Sequence, residues 1–342
     1  MELGIYSFGE LIENPGEDQA RSVHQRFEQV LELARLADAG GLDLIGLGEH
    51  HRPDFTISAP EVVLAAIAGQ TSRLRLATAV TVLSSQDPVR VFEQFATLDH
   101  VSNGRAEIFA GRGAFIESFP LFGYDLADYD DLFDEKLKLL VRLREESTLT
   151  WSGRFRSALD HAEVSPRPLQ EPLPIWVAIG GTPASAVRAG LLGLPMVMGF
   201  FAGPEQFVPR VQLYRRAAEQ AGHDPATLRL AVSGHMFVGK TSQGARDEYF
   251  PYYSSYLRQG MGRPFPREAF DSWIAASLPV GSPQQVVDAI MLRVELLGID
   301  RFVGQIDAGN PPWAMTAESL ELYMTEVAPV IRRETASAAV KA

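Results

Sequence analysis

The chain of 342 residues contains no cysteine. Disulfides, thiolate metal sites, iron–sulfur clusters and cysteine nucleophiles are therefore all excluded. It also lacks an excess of positive charge. With 31 Lys and Arg against 43 Asp and Glu its formal charge is −12, which argues against a nucleic-acid partner, whose phosphates need a concentrated basic surface. An anionic cofactor stays open, since a few local donors suffice to hold one phosphate. No apolar run approaches the ~20 residues of a membrane span, so no membrane partner is expected. The opening MELGIYSFGE has neither a basic segment nor a long apolar stretch, so no secretory leader is expected and a cytoplasmic location is. Nor does any G-x-G-x-x-G follow the first strand, which removes the usual fingerprint of a doubly wound dinucleotide-binding sheet.

What is present is an alternation of short β-like runs with helical patterns, the mark of a parallel sheet built from βαβ units. Eight strands are expected, at Leu3–Phe8, Leu44–Leu47, Leu74–Leu83, Ala106–Ala110, Ile175–Ile179, Met196–Phe200, Leu230–Val238 and Phe302–Ile306. Most are apolar throughout, as strands covered on both sides are. Helix ends are legible between them. Asp87-Pro88 pairs an N-cap with proline at the first helical position, and Ser102-Asn103-Gly104 closes the same helix. Ser282-Pro283-Gln284-Gln285 offers a capping box, Thr182-Pro183 a third cap, and Thr316–Arg333 a last amphipathic helix. Length and count fit one elaborated (β/α)₈ barrel (a TIM barrel) over residues 1–335, with a frayed tail at 336–342. Arg112–Tyr129 and Thr241–Pro283 read as long insertion loops at the C-terminal rim, where lids and binding loops sit.

Barrel enzymes place their chemistry at the C-terminal ends of the strands. Gly48-Glu49-His50-His51 follows the second strand, and histidine suits proton transfer near neutrality. Adjacent histidines on an extended segment point to opposite sides, which weakens a shared metal. Thr78-Ala79-Val80 lies in the third strand, where small residues pack a barrel or let a flat ring approach. Gly111-Arg112-Gly113 ends the fourth strand; an arginine there can offer its planar fork to a phosphate, or simply face solvent in a turn. Gly180-Gly181-Thr182-Pro183 leads the fifth strand into a helix, giving close backbone approach and the free N–H groups of a first turn. Thr182 can cap that helix, bind a phosphate oxygen, or do both. Phe115, Phe119, Tyr252, Tyr253 and Trp273 are candidates to line a substrate pocket, or else plain packing.

In this order these segments resemble the bacterial luciferase-like monooxygenase family, over roughly Leu3 to Pro329. The likeness is densest in GLGEHH, in LATAVTVLSSQDPVRVFEQFATLDHVSNGR, in IFAGRG, and in PIWVAIGG followed by LPMVMGF. The resemblance implies a barrel that uses reduced FMN and O₂ to oxidise a small organic substrate through a peroxyflavin. It implies that His50 lies beside the flavin ring as the catalytic residue, flanked by Glu49 and His51. It also implies a non-prolyl cis peptide at Ala79-Val80 against the ring, and phosphate contacts from Arg112 and from Gly180, Gly181 and Thr182. A separate flavin reductase and homodimer assembly are expected on the same ground. Three departures separate the chain from the light-emitting enzyme: Gly180 and Gly181 replace a carboxylate and a serine, Gly111 replaces a reactive cysteine, and Phe200 replaces a tryptophan. Light emission is therefore not implied. Rival readings are an F420-dependent hydride-transfer enzyme on the same barrel, a metal-dependent barrel hydrolase, and a non-catalytic flavin-binding protein.

Overall fold

Eight parallel strands close into a barrel in the computed structural model, which describes residues 1–12, 22–199 and 203–339. They are β1 (Glu2–Ser7), β2 (Leu44–Leu47), β3 (Arg75–Thr78), β4 (Ala106–Gly111), β5 (Ile175–Ile179), β6 (Met196–Gly199), β7 (Leu230–His235) and β8 (Arg301–Gln305). Each pairs in parallel with the next, and β8 returns to β1 with Leu3 opposite Phe302. Parallel strands need crossovers, and helices supply them on the outside. Leu3, Ile5, Ile45, Leu76, Ile108, Val177, Met198, Val232 and Phe302 face those helices in the main apolar core. Tyr6, Leu44, Ala77, Phe109, Trp176, Val197, Ala231 and Val303 point the other way and fill the barrel. The alternation along each strand, one residue outward and the next inward, is the period-2 geometry of an extended chain.

The closed end of the barrel is a buried charge network. Arg301 reaches Glu107 with both terminal nitrogens, at 2.6 and 3.1 Å, and Glu2 at 2.5 Å, and its guanidinium lies 4.5 Å from the Trp176 ring centre. Burial pushes the Glu107 carboxyl up, but Arg301 and Arg75 outweigh it and hold the group below the usual carboxylate range.

Strand boundaries depart from expectation where the chain breaks its own extension. The third run is divided by a cis peptide at Ala79-Val80, so β3 stops at Thr78 and a two-residue strand, Thr81–Val82, resumes beyond it. The seventh divides after His235; Phe237–Val238 turns away to pair with Val280–Gly281. Phe200, expected to end the sixth, lies outside the described residues. Asp87 caps the Pro88–Val101 helix through the N–H groups of Val89 and Arg90, and the Gln285 side chain accepts from the Ser282 N–H at 3.1 Å.

Several segments correct the sequence reading; Arg112–Tyr129, expected as a loop, holds a short helix at Ser118–Phe122. Thr241–Pro283 is mostly helical, with helices at Ser242–Met261 and Arg267–Ala275. A proline at 251 inside the first helix, and aromatics on more than one side of it, Tyr249 and Tyr253 buried and Phe250 and Tyr252 half-buried, mask its periodicity. An antiparallel hairpin, Thr148–Trp151 with Leu159–Glu163, was not anticipated. The closing helix also runs past Arg333 to Ala339. Among the described residues no helix is long and apolar enough to cross a membrane.

Candidate active site

Because all eight strands run one way, the residues after their C-terminal ends share one rim. There they enclose a cavity of about 610 Å³, within the usual size range for cofactor and substrate sites. Seven strands and the segments that follow them contribute: Tyr6 and Phe8, Glu49–His51, Ala79 and Val80, Phe109 with Gly111 and Arg112, Ala178 to Gly180, Val197 and Gly199, Ser233 and His235, with Val303 from the eighth. Of the expected site residues, His50, Glu49, His51, Ala79, Val80, Gly111, Arg112 and Gly180 all line it.

The second-strand loop is fastened at several points. The His50 N–H donates to the Ile57 carbonyl at 2.9 Å. Its ring stacks on Phe55 (centroids 4.2 Å apart) and meets the edges of Phe8 and Phe115 at 4.8 and 5.2 Å. His50 is only 8% exposed, and its Nδ1 is buried without a hydrogen-bond partner. His51 turns the other way: its Nε2 lies 3.0 Å from Glu49 Oε1. The second Glu49 oxygen accepts from the Val82 N–H and from the Gln86 side chain, both at 2.8 Å. Glu49 therefore ties the β2 loop to the segment just beyond the cis peptide, and both its oxygens are engaged.

That segment forms one wall. The Ala79 N–H donates to the Leu47 carbonyl at 2.6 Å. Thr78 does not line the cavity; it is fully buried, and its hydroxyl accepts from the Phe109 N–H at 3.3 Å and from the Thr81 hydroxyl at 2.9 Å, joining β3 to β4. Gly111 is required by Val80, because a Cβ at 111 would stand 2.5 Å from Val80 Cγ2.

The corner formed by Arg112 and the Gly180-Gly181-Thr182 bend lies across the fourth and fifth strand ends. Arg112 pairs with the exposed Asp130 and donates to the Thr182 hydroxyl at 3.3 Å, with its guanidinium 5.1 Å from the Tyr129 ring centre. Thr182 occupies the N-cap position of the Pro183–Leu191 helix, yet makes no side-chain capping bond. Its hydroxyl turns to Arg112 instead, which leaves the first-turn N–H groups without it. Gly181 takes φ +145, a conformation that favours glycine, and its carbonyl accepts from Arg210 at 2.5 Å. A Cβ on Gly180 would meet nothing within 4 Å, so the corner is open.

Sequence reasoning missed part of the wall. Phe8, Phe55, Arg52, Asp54, Glu117, His235 and Tyr256 all line the cavity. Phe8 directly follows β1 and was recoverable from rim logic. Glu117 and Tyr256 come from the insertions, whose path only the folded chain reveals. His235 is fully buried, 2.8 Å from the Tyr253 hydroxyl, and burial pushes it down to about 3, so it stays neutral. Of the proposed lining aromatics only Phe115 reaches the cavity. Phe119 stacks on Tyr129, while Tyr253 and Trp273 pack in a separate aromatic cluster with Phe237, Tyr249, Phe265 and Phe270. Helical spacing turns Tyr253 toward that cluster, and Tyr256 faces the cavity in its place. Among the described residues no three His, Asp or Glu side chains converge as a metal-binding set.

A sequence model of luciferase-like monooxygenases matches residues 1–301. The chain belongs to this family. With it the chain joins the flavin-dependent oxidoreductases. It is 25% identical over 334 residues to the oxygenase component of a flavin-dependent trigonelline monooxygenase from Acinetobacter baylyi, covering 89% of this chain and 90% of that one. The crystal structure of monooxygenase RslO1 from Streptomyces bottropensis is 28% identical, with a TM-score of 0.86 over 96% of this chain and 99% of that one. An F420-dependent secondary alcohol dehydrogenase shares the fold, at 20% identity and a TM-score of 0.73 over 96% and 98% of the two chains. The barrel is thus common to flavin and deazaflavin enzymes.

Proposed function

We propose that the protein is the oxygenase of a two-component system, taking reduced FMN from a separate reductase and using O₂ to oxidise a small organic substrate in the rim cavity. The observation that carries the reading is the order of groups around one space. A guanidinium with an adjacent hydroxyl and open glycine backbone stands at the end of β4 and β5, a small-residue wall at Ala79-Val80, and a buried histidine ringed by aromatics after β2. This set fits a flavin mononucleotide. Arg112, Thr182 and the Gly180-Gly181 backbone would hold the phosphate, with Asp130 giving up its hold on Arg112. Ala79 and Val80 would flank the ring system. Bound reduced FMN supplies the electrons that activate dioxygen. His50 moves the proton that each turnover must deliver or remove, and Phe8, Phe55, Phe115, Tyr256 and Leu257 keep water from the reacting atoms. Glu49 and His51 hold the floor beneath them, and Gly111 leaves room for Val80. We take the assembly to be a cytoplasmic homodimer of single-domain chains.

The monooxygenase reading is preferred to the deazaflavin one because the family itself and the two relatives of 25% and 28% identity are named as monooxygenases. Anaerobic titration with reduced FMN and reduced F420, followed by air, separates the two. Saturable binding of reduced FMN and oxygen uptake coupled to it are expected, and binding of F420 alone would overturn the proposal. His50→Ala should bind FMN nearly normally and lose about 10²–10⁴-fold in turnover, the range for a lost proton-transfer group. Full turnover in that variant refutes the role of His50.

A further inference from the structure

We infer that Glu117 is a positioning residue for His50, its carboxylate fixing the imidazole proton on Nδ1 and leaving Nε2 as the basic nitrogen. The inference rests on the role given to His50 above.

Nδ1 of His50 is buried and has no hydrogen-bond partner, and Glu117 Oε1 stands 3.8 Å from it. The ring cannot swing to another acceptor, because Phe55 stacks on one face and Phe8 and Phe115 abut it. The other charged groups around it are already engaged. Glu49 serves His51, Val82 and Gln86. Arg52 makes a two-pronged pair with Asp54 at 2.9 and 2.8 Å. Arg112 pairs with Asp130 and Thr182, and His51 with Glu49. Glu117 is the remaining carboxylate on the cavity wall, and its Oε1 also accepts the His51 N–H at 3.4 Å. Burial pushes the Glu117 carboxyl up, but its contacts with His50 and with the backbone N–H groups of Glu117 and His51 outweigh burial and leave it below the usual range. It is therefore an anion at neutral pH.

The separation of 3.8 Å exceeds a hydrogen bond by less than 1 Å. Such bonds are commonly long before a ligand binds and tighten in the complex. Glu117 rides on the Arg112–Tyr129 insertion together with Phe115, which touches the same imidazole and lies under the Arg52 guanidinium at 4.6 Å. A flavin and substrate packed against this insertion would press it toward His50 and shorten the contact. Within a pocket of aromatic rings a carboxylate–imidazole pair interacts strongly, and the bond at one ring nitrogen decides which nitrogen carries the proton.

The test is a pH titration by NMR of protein labelled with ¹³C and ¹⁵N in its seven histidines, with His50→Gln assigning the resonance. In the natural protein, His50 should be protonated on Nδ1 in its neutral form. Glu117→Gln, which keeps size and an acceptor but loses charge, should move the His50 midpoint to lower pH. Glu117→Ala should also scramble the tautomer, and Glu117→Asp should restore the midpoint toward the natural value. In turnover, Glu117→Gln should shift the acid limb of the kcat/KM profile the same way and lower the plateau about tenfold. An identical His50 midpoint and tautomer in the natural protein and Glu117→Gln overturns the inference. Should Glu117→Gln not fold, Glu117→Ala carries the same comparison, and a His50 midpoint and tautomer unchanged there refute it. A pair seen by NMR alongside full turnover in His50→Ala would sink the role of His50 instead, so the two failures are distinct.

Discussion

Gly111→Ala probes the wall beside the proposed ring site. The added methyl would lie 2.5 Å from Val80 Cγ2, 3.0 Å from its Cβ and 3.2 Å from Cγ1. Apolar carbons pack at about 3.5–4.0 Å, so the overlap is close to 1 Å. Rotating Val80 about χ1 can put its Cβ hydrogen where Cγ2 stands, but Cβ itself stays at 3.0 Å, so the remaining relief has to come from the backbone. That backbone is the cis Ala79-Val80 segment on one side and β4 on the other, which Gly111 joins to Thr81–Val82 through the Leu83 N–H at 3.0 Å. Overpacking of this kind costs about 1–3 kcal/mol. The alanine recovers about 0.4–1 kcal/mol by restricting the unfolded chain. A net loss of about 1–2 kcal/mol is expected, with weakened flavin binding because the displaced wall is the one meant to face the ring. Guanidinium denaturation of Gly111→Ala, Val80→Ala and the double variant measures it. Val80→Ala removes the two offending methyls, so the double variant should be more stable than the sum of the single losses by about 1 kcal/mol. Strict additivity, or a Gly111→Ala protein as stable as the natural one, would refute the reasoning.

Two further predictions concern buried charge. Burial and then Asp307 raise the Glu10 carboxyl well above its ordinary 4.5, against the pull of Arg26. The folded state therefore binds more protons than the unfolded state above pH 4.5, and Glu10's contribution to stability declines as pH rises from there toward the folded value. Glu10→Gln, which can still accept from Gln305, should abolish that decline, so its advantage in Tm grows with pH; a constant gap contradicts the assignment. At the closed end of the barrel, Arg301→Ala leaves Glu107 buried beside Arg75 alone and should cost about 3–5 kcal/mol in guanidinium denaturation. A loss under 1 kcal/mol would mean that water enters to replace it.

Much of this architecture was legible in the sequence because apolar runs and end signals agree. Leu44–Leu47 and Ile175–Ile179 fold over the residues expected, and Asp87 caps where its proline neighbour indicated. Periodicity fails where the chain leaves the regular menu. Nothing in Leu74–Leu83 as an alternating apolar run announces a cis bond at its centre, although the family resemblance did. The helices after Thr241 were hidden by Pro251 and by aromatics placed around the first of them, half-buried as well as buried. Rim position put His50 and Arg112 on the cavity wall, since it depends only on strand order. Glu117, Tyr256 and Phe55 reach the cavity through tertiary packing of loops and insertions, and no local pattern encodes a contact of that kind. Thr182 shows the converse: its sequence signal as a helix cap is clear, and a long-range partner, Arg112, takes the hydroxyl instead.

The account stands on the phosphate corner, and a four-way binding cycle tests it most directly. Anaerobic titrations would compare reduced FMN with reduced riboflavin, which lacks the phosphate, on the natural protein and on Arg112→Ala. The account predicts that FMN binds the natural protein at least tenfold more tightly than riboflavin, and that Arg112→Ala removes most of this difference while leaving riboflavin affinity nearly unchanged. Equal affinities for the two flavins, or a preference for FMN that survives the loss of Arg112, would contradict it.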